Sequence, residues 1–247
     1  LSDAPGPSGV YWAEPYTKES CGDFAAVFLS RQGVEPDLDH ADVIYYDNTA
    51  FYSDHRTYSL WVSYNDRSYV YTDYRVDSGL RYSDEGGTVT EAELRAALAA
   101  RGIEVPDAAE FLAVDGETGT YLFTAACVVE DGVLLDGELT CRVAEGGLLY
   151  EVDNALSAST LYGDAPVRSP REAYEKLCAG WFSWRDVPAF ARLPPRRAQV
   201  TACDLGYVTD SKGFRQPVYY FTISDEQDAE LRDGSGWTTF VPALTKK

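Results

Sequence analysis

Two histidines, His40 and His55, are the only side chains in this 247-residue chain with an ordinary pKa suited to general-base work near neutral pH. A serine-type hydrolase would need one of them beside a nucleophile. Neither has a nucleophile motif nearby, and G-x-S-x-G occurs nowhere. His40 lies in D-L-D-H-A-D, where Asp37, Asp39 and Asp42 could loosely collect a cation, but the segment reads as an exposed acidic loop. The acidic run at 225–236 lacks the glycine and glutamate spacing of a calcium-binding loop and reads as a solvated hairpin loop. Neither phosphate-cradling glycine motif is present. With 40 acids, chance carboxylate pairs are expected, so pairing carries no signal without geometry. The residues therefore predict no catalytic centre, no metal site and no cofactor.

Cysteine chemistry is equally sparse. Cys21, Cys127, Cys141, Cys178 and Cys203 contain no C-x-x-C pair, which excludes zinc-ribbon and thioredoxin-like sites. An odd count leaves at least one free thiol in a monomer. The candidate disulfide is Cys127 with Cys141, which are symmetric about a turn region centred near Leu134 in a predicted hairpin.

Aromatic side chains are the marked excess. There are 18 tyrosines, many of them crowded between positions 45 and 82. Two of the five tryptophans lie in an irregular insertion at 181–197. Tyrosine suits any half-buried pleated surface, yet Tyr and Trp are also favoured in recognition surfaces. The candidate partner-binding residues are Trp61, Tyr69, Tyr71, Trp181 and Trp184.

A net charge of −19 opposes binding to nucleic acid or anionic lipid through a broad surface and favours basic partners. No apolar run approaches a membrane span. Residues 1–9, rich in Pro, Gly and Ser, read as a flexible tether. The chain starts at Leu1 and contains no methionine. Together these lead us to expect an exported, extracytoplasmic protein whose signal sequence or lipid anchor lay upstream, in contact with membrane only through that anchor.

The elements that position these residues repeat a grammar of cap, apolar stripe and glycine stop. Helices are predicted at 17–32, 90–101 and 170–179, ended by Gly33, Gly102 and Gly180. Ser169, Pro170 and Glu172 spell a capping box with proline at the first helical position. Strands are predicted at 43–47, 58–64, 68–75, 120–129, 138–143 and 148–152, and again around 201–207, 219–223 and 238–241. Each helix would pack on about three antiparallel strands. The expected fold class is thus α+β, as tandem helix-plus-antiparallel-sheet (αβββ, cystatin-like) units: a tether at 1–9, a Tyr-rich unit at 10–84, a second unit at 85–160 and a carboxy-terminal unit at 161–247.

The run E-D-G-V-L-L-D-G-E-L-T-C-R-V-A-E-G-G-L-L-Y-E-V at 130–152 resembles the strand–turn–strand of PepSY-type propeptide domains. S-P-R-E-A-Y-E-K-L at 169–177, followed by L-G-Y at 205–207 and Q-P-V-Y-Y-F at 216–221, resembles the carboxy-terminal half of the YycH/YycI family. The resemblance spans 88–243 and supplies no catalytic residue. It implies PepSY-like units in an extracytoplasmic, membrane-tethered regulatory protein whose partner is a membrane sensor kinase. The family's membrane helix is missing from these residues, and the Tyr-rich first unit is additional. The expected function is non-enzymatic binding or regulation through protein or peptide contacts. The alternative is a secreted glycan- or peptide-acting hydrolase with a carboxylate pair that the sequence does not locate.

Overall fold

The computed structural model describes residues 9–35, 44–46, 48–81, 88–115, 119–183, 198–225 and 237–245. In chain order, β1 (Gly9–Trp12) precedes α1 (Lys18–Arg31). Four strands follow: β2 (Ile44–Tyr46), β3 (Thr49–Ser53), β4 (Tyr58–Ser63) and β5 (Tyr69–Asp73). Helices α2 (Ser78–Arg81) and α3 (Glu91–Ala100) lead to β6 (Glu110–Asp115), β7 (Thr120–Glu130), β8 (Val133–Ala144), β9 (Leu148–Asn154) and β10 (Ser157–Asp164). The last elements are α4 (Pro170–Cys178), β11 (Ala198–Thr209), β12 (Phe214–Asp225) and β13 (Trp237–Pro242).

Local chemistry writes the three longer helices in one way, close to the bounds read from the sequence. Each opens with a closed capping box, Thr17 with Ser20, Thr90 with Glu93 and Ser169 with Glu172. Each closes on a left-handed glycine: Gly33, Gly102 and Gly180, with φ of 67°, 73° and 82°. Beyond that glycine, the N–H groups of Val34, Ile103 and Trp181 donate to the carbonyls of Leu29, Leu98 and Lys176 at 3.0, 2.9 and 2.9 Å. This is the Schellman arrangement, which satisfies the orphan carbonyls of the last turn.

The expected tandem αβββ units are not what these elements build. The chain divides into two compact units. The larger holds the described residues of Ala13–Ser159 with Ser211–Gly213, and the smaller those of Leu1–Trp12, Thr160–Asp210 and Phe214–Lys247. In the larger unit β5 pairs with β9, from Tyr69↔Asn154 to Thr72↔Glu151. That pairing fuses the strands on either side into one antiparallel order, β6-β7-β8-β9-β5-β4-β3-β2. A single row of facing residues crosses it: Tyr52, Leu60, Tyr71, Val152, Cys141 and Tyr121. All are buried, and α1 and α3 pack through Phe28, Leu29, Leu94 and Leu98 into that same core. Two separate small sheets would each have left exposed edges; β5–β9 pairing removes one from each. Local caps and turns do not encode that long-range choice of partner, and it makes the protein a large antiparallel sheet rather than a string of helix-plus-sheet modules.

In the smaller unit β11 and β12 form a long hairpin. The other edge of β12 carries β13 from Val218↔Pro242 to Ile223↔Trp237, and β1 at Tyr11↔Arg215. β1 also pairs with β10. Helix α4 buries Ala173 and Leu177 on Tyr219, Phe221, Ile223 and Val241.

The β7–β8 hairpin corrects the predicted register. Its turn is Asp131–Gly132, both with positive φ (49° and 76°), and Glu130 pairs with Val133. A bulge between Ala125 and Val128 then shifts the ladder, and Cys141 faces Tyr121. Cys127 therefore lies six residues along β7 from the position opposite Cys141, a distance of about 20 Å at strand rise. A disulfide needs Cα atoms within about 7 Å, so the pair is not bridged in this structure, and none of the five cysteines is in a disulfide. Cys127 instead takes the left-handed position of the bulge (φ 54°). Its backbone N–H and its thiol both point at Asp136 Oδ1, at 3.2 and 3.4 Å.

The β3–β4 turn adds a pH dependence. Asp54 accepts hydrogen bonds from the backbone N–H groups of Arg56, Thr57 and Tyr58 and from the Thr57 hydroxyl. Burial pushes its carboxyl upward, but these donors outweigh it and hold the group down to about 2. A depressed carboxylate contributes fully above its unfolded pKa, about 3.9, and loses that contribution as pH falls through its folded value. The gap in Tm between the native protein and Asp54→Asn is expected to be constant near neutral pH and to shrink between pH 4 and 2. Thermal melts across that range check it; a gap that persists at pH 2 would contradict the turn's role.

Candidate binding site

Both ends of α4 are strapped to β13 or to the residues just beyond it. Ahead of the helix, Arg168 N–H donates to Ala243 O at 2.9 Å, Val167 bridges to Leu244, and the Tyr219 hydroxyl donates to Arg168 O at 3.0 Å. Beyond it, the Gly180 turn delivers Trp181. Ser183 N–H then donates to Phe240 O at 3.0 Å, and the Thr239 hydroxyl to Ser183 O at 2.7 Å. Between the two straps lies a cleft of about 770 Å³. Its walls include Trp181, Phe182, Phe240 and Leu244, with Arg168 and Lys176 as the cationic members.

Trp181 is the residue that folding explains least. It holds the position that Val34 and Ile103 hold after α1 and α3, where an apolar side chain normally packs back on its helix. Val34 and Ile103 are buried, whereas Trp181 is 66% exposed. Its ring lies under the Lys176 ammonium, 5.3 Å from the centroid, a cation–π contact that fixes the indole's place. Leaving an indole in water forgoes about 1.5–3 kcal/mol of burial. Among the described residues the cleft wall contains no acid, histidine or cysteine. It offers apolar area, an aromatic face and cations, the makings of a ligand-binding surface.

The other sequence-derived candidates are dispersed. Trp61 is 38% exposed and its ring meets that of Phe51 at 4.3 Å, tilted by 34°. Its neighbour on β5 is Val70, which places it on the face of the larger unit's sheet opposite α1 and α3. Tyr69 and Tyr71 point the other way. They are 8% and 0% exposed, and both rings contact Phe28. They are core residues, so they cannot share a recognition surface with Trp61. Trp181 belongs to the smaller unit. Trp184 and His40 lie outside the described residues. A second hollow of about 420 Å³ carries Glu93 and Glu145, but Glu93 is committed to the α3 capping box. Among the described residues there is no cluster of acids, histidines and cysteines arranged to hold a metal ion, nor a helix long and apolar enough to cross a membrane.

Strand addition, which an aromatic sheet invites, is not offered at the cleft. Pro242 has no N–H to give there, and Phe240 O is already taken by Ser183. Arg168, Lys176, Phe182, Phe240 and Leu244 escaped the sequence reading. The available signal was the Gly180–Trp181 pair, which placed an indole where a helix normally receives a buried aliphatic residue.

No protein-family model matches the chain, and no curated protein does. Among solved structures it is similar to the Bacillus megaterium YpeB C-terminal domain, at 11% sequence identity, with 94% of this chain and 95% of that chain covered. The TM-score of that superposition is 0.32, too low to define a shared fold.

Proposed function

We propose that this is a non-enzymatic binding protein that acts outside the cytoplasm through protein or peptide contacts, and that a partner's peptide segment docks in the cleft beside Trp181. The observation that carries the reading is the exposed indole at a position whose counterparts on α1 and α3 are buried. Tryptophan buries large area at small entropic cost and dominates the energetics of protein interfaces. Rigid straps on both sides of the cleft reduce what must be ordered on binding. The tether composition of 1–9 and the YycH/YycI-like segments support an extracytoplasmic, regulatory setting, with a membrane sensor as the proposed partner.

Selection of binders from a random displayed-peptide library on the immobilised protein tests the docking site. Trp181→Ala is expected to weaken selected peptides about thirtyfold, the loss of a hot spot worth about 2 kcal/mol. Its Tm should remain within about 2 °C of native, because the ring packs little. Equal affinity for native and variant protein would refute the site.

A further inference from the structure

Resting on the cleft as a peptide site, we infer that its partner segment is acidic, with carboxylates flanking an apolar side chain. The whole chain points the other way, since a net charge of −19 attracts basic partners. The cleft departs from that field: among the described residues its wall holds Arg168 and Lys176 and no acid.

Lys176 is left for a ligand by an internal choice of α4. Glu172 stands four residues before it, the spacing of a helical ion pair. The Glu172 carboxylate instead turns back to the cap, accepting from Ser169 N–H at 2.7 Å and the Ser169 hydroxyl at 3.2 Å. Among the described residues no acid forms an ion pair with Lys176, whose ammonium rests on the Trp181 ring. Arg168 donates one guanidinium N–H to Leu244 O at 2.7 Å, its one side-chain hydrogen bond among the described residues. That bond holds the guanidinium along the wall, and its four remaining N–H groups suit a carboxylate. The carbonyl end of α4 would repel an anion were it bare, but the N–H groups of Ala179, Gly180 and Trp181 take the carbonyls of Glu175, Leu177 and Lys176. An anion beside Trp181 thus meets Lys176, with Arg168 on the same cleft wall and three carbonyls of the last turn already taken.

Two capped hexapeptides, one alternating leucine with glutamate and one alternating leucine with lysine, decide the matter in calorimetric titrations of the full chain. The local cleft predicts that the glutamate peptide binds about tenfold tighter and weakens as salt rises, while the global field predicts the reverse order. Lys176→Glu is expected to abolish or invert the preference, and Lys176→Met to reduce it. Melting curves of both variants verify that α4 is intact. Equal or reversed preference, with Trp181→Ala still weakening both peptides, would overturn the acidic selection and leave the docking site standing. No measurable binding of the glutamate peptide would also overturn it. Insensitivity of both peptides to Trp181→Ala would remove the docking site and this inference together.

Discussion

Tyr71→Ala is expected to cost the larger unit about 3–5 kcal/mol, the range for truncating a large aromatic residue in a core that cannot collapse. Tyr71 sits mid-row on the buried face, between Leu60 and Val152, with the Phe28 ring edge-on at 5.4 Å. Tyr71→Phe is expected to behave in the opposite manner. The hydroxyl is buried beside the Arg75 guanidinium but makes no hydrogen bond of good geometry. Arg75 beside it directs its N–H groups to Asp73 and to the carbonyls of Gln32 and Gly33. Removing an unsatisfied buried hydroxyl is close to neutral or stabilising. Urea denaturation of the two variants separates ring from hydroxyl. A small loss for Tyr71→Ala, or equal losses for both, would mean the ring is not the keystone of this row.

Gly137→Ala is expected to be nearly as damaging, at about 3 kcal/mol or more. Gly137 has a φ of 107°, and a Cβ there would stand 2.3 Å from the backbone oxygen of Ala155. Backbone strain of this kind costs about 1–3 kcal/mol by itself, and a clash with main chain cannot be relieved by a rotamer. Gly146 supplies the control: its φ is 80°, but a Cβ would meet nothing within 4 Å. Gly146→Ala should therefore cost only the left-handed backbone term, about 1–2 kcal/mol. The difference between the two midpoints in urea measures the steric part, and equal midpoints would place the whole effect in φ.

What could be read from the sequence was what is local. Thr90 with Glu93, Ser169 with Glu172, and the three stop glycines mark helix ends because each acts within five residues. The alternation of Tyr58, Leu60 and Val62 against Ser59 and Trp61 correctly separates the faces of β4. The face on which β5 buries its tyrosines depends on pairing Trp61 with Val70, and a tyrosine-rich strand does not declare that register. The misplaced Cys127 had a readable cause. Asp131–Gly132 is the dipeptide that favours a two-residue hairpin turn, and it outranks a centre near Leu134. The cleft was half legible. Gly180 and Trp181 stand together, but Phe240 and Leu244 reach the same wall from some sixty residues away, and nothing in a linear reading joins them.

The placement of β1 has a consequence for how the protein is made. Tyr11 finds its partner Leu161 150 positions later, and Arg215 later still. A chain emerging at about 5–20 residues per second leaves β1 waiting for roughly 8–30 s before its native partner exists. The larger unit, nearly contiguous from Ala13 to Ser159, can close in that interval. Gly9–Trp12 meanwhile carries Val10, Tyr11 and Trp12 on an unpaired backbone, a short apolar segment exposed to mispairing until β10 and β12 exist.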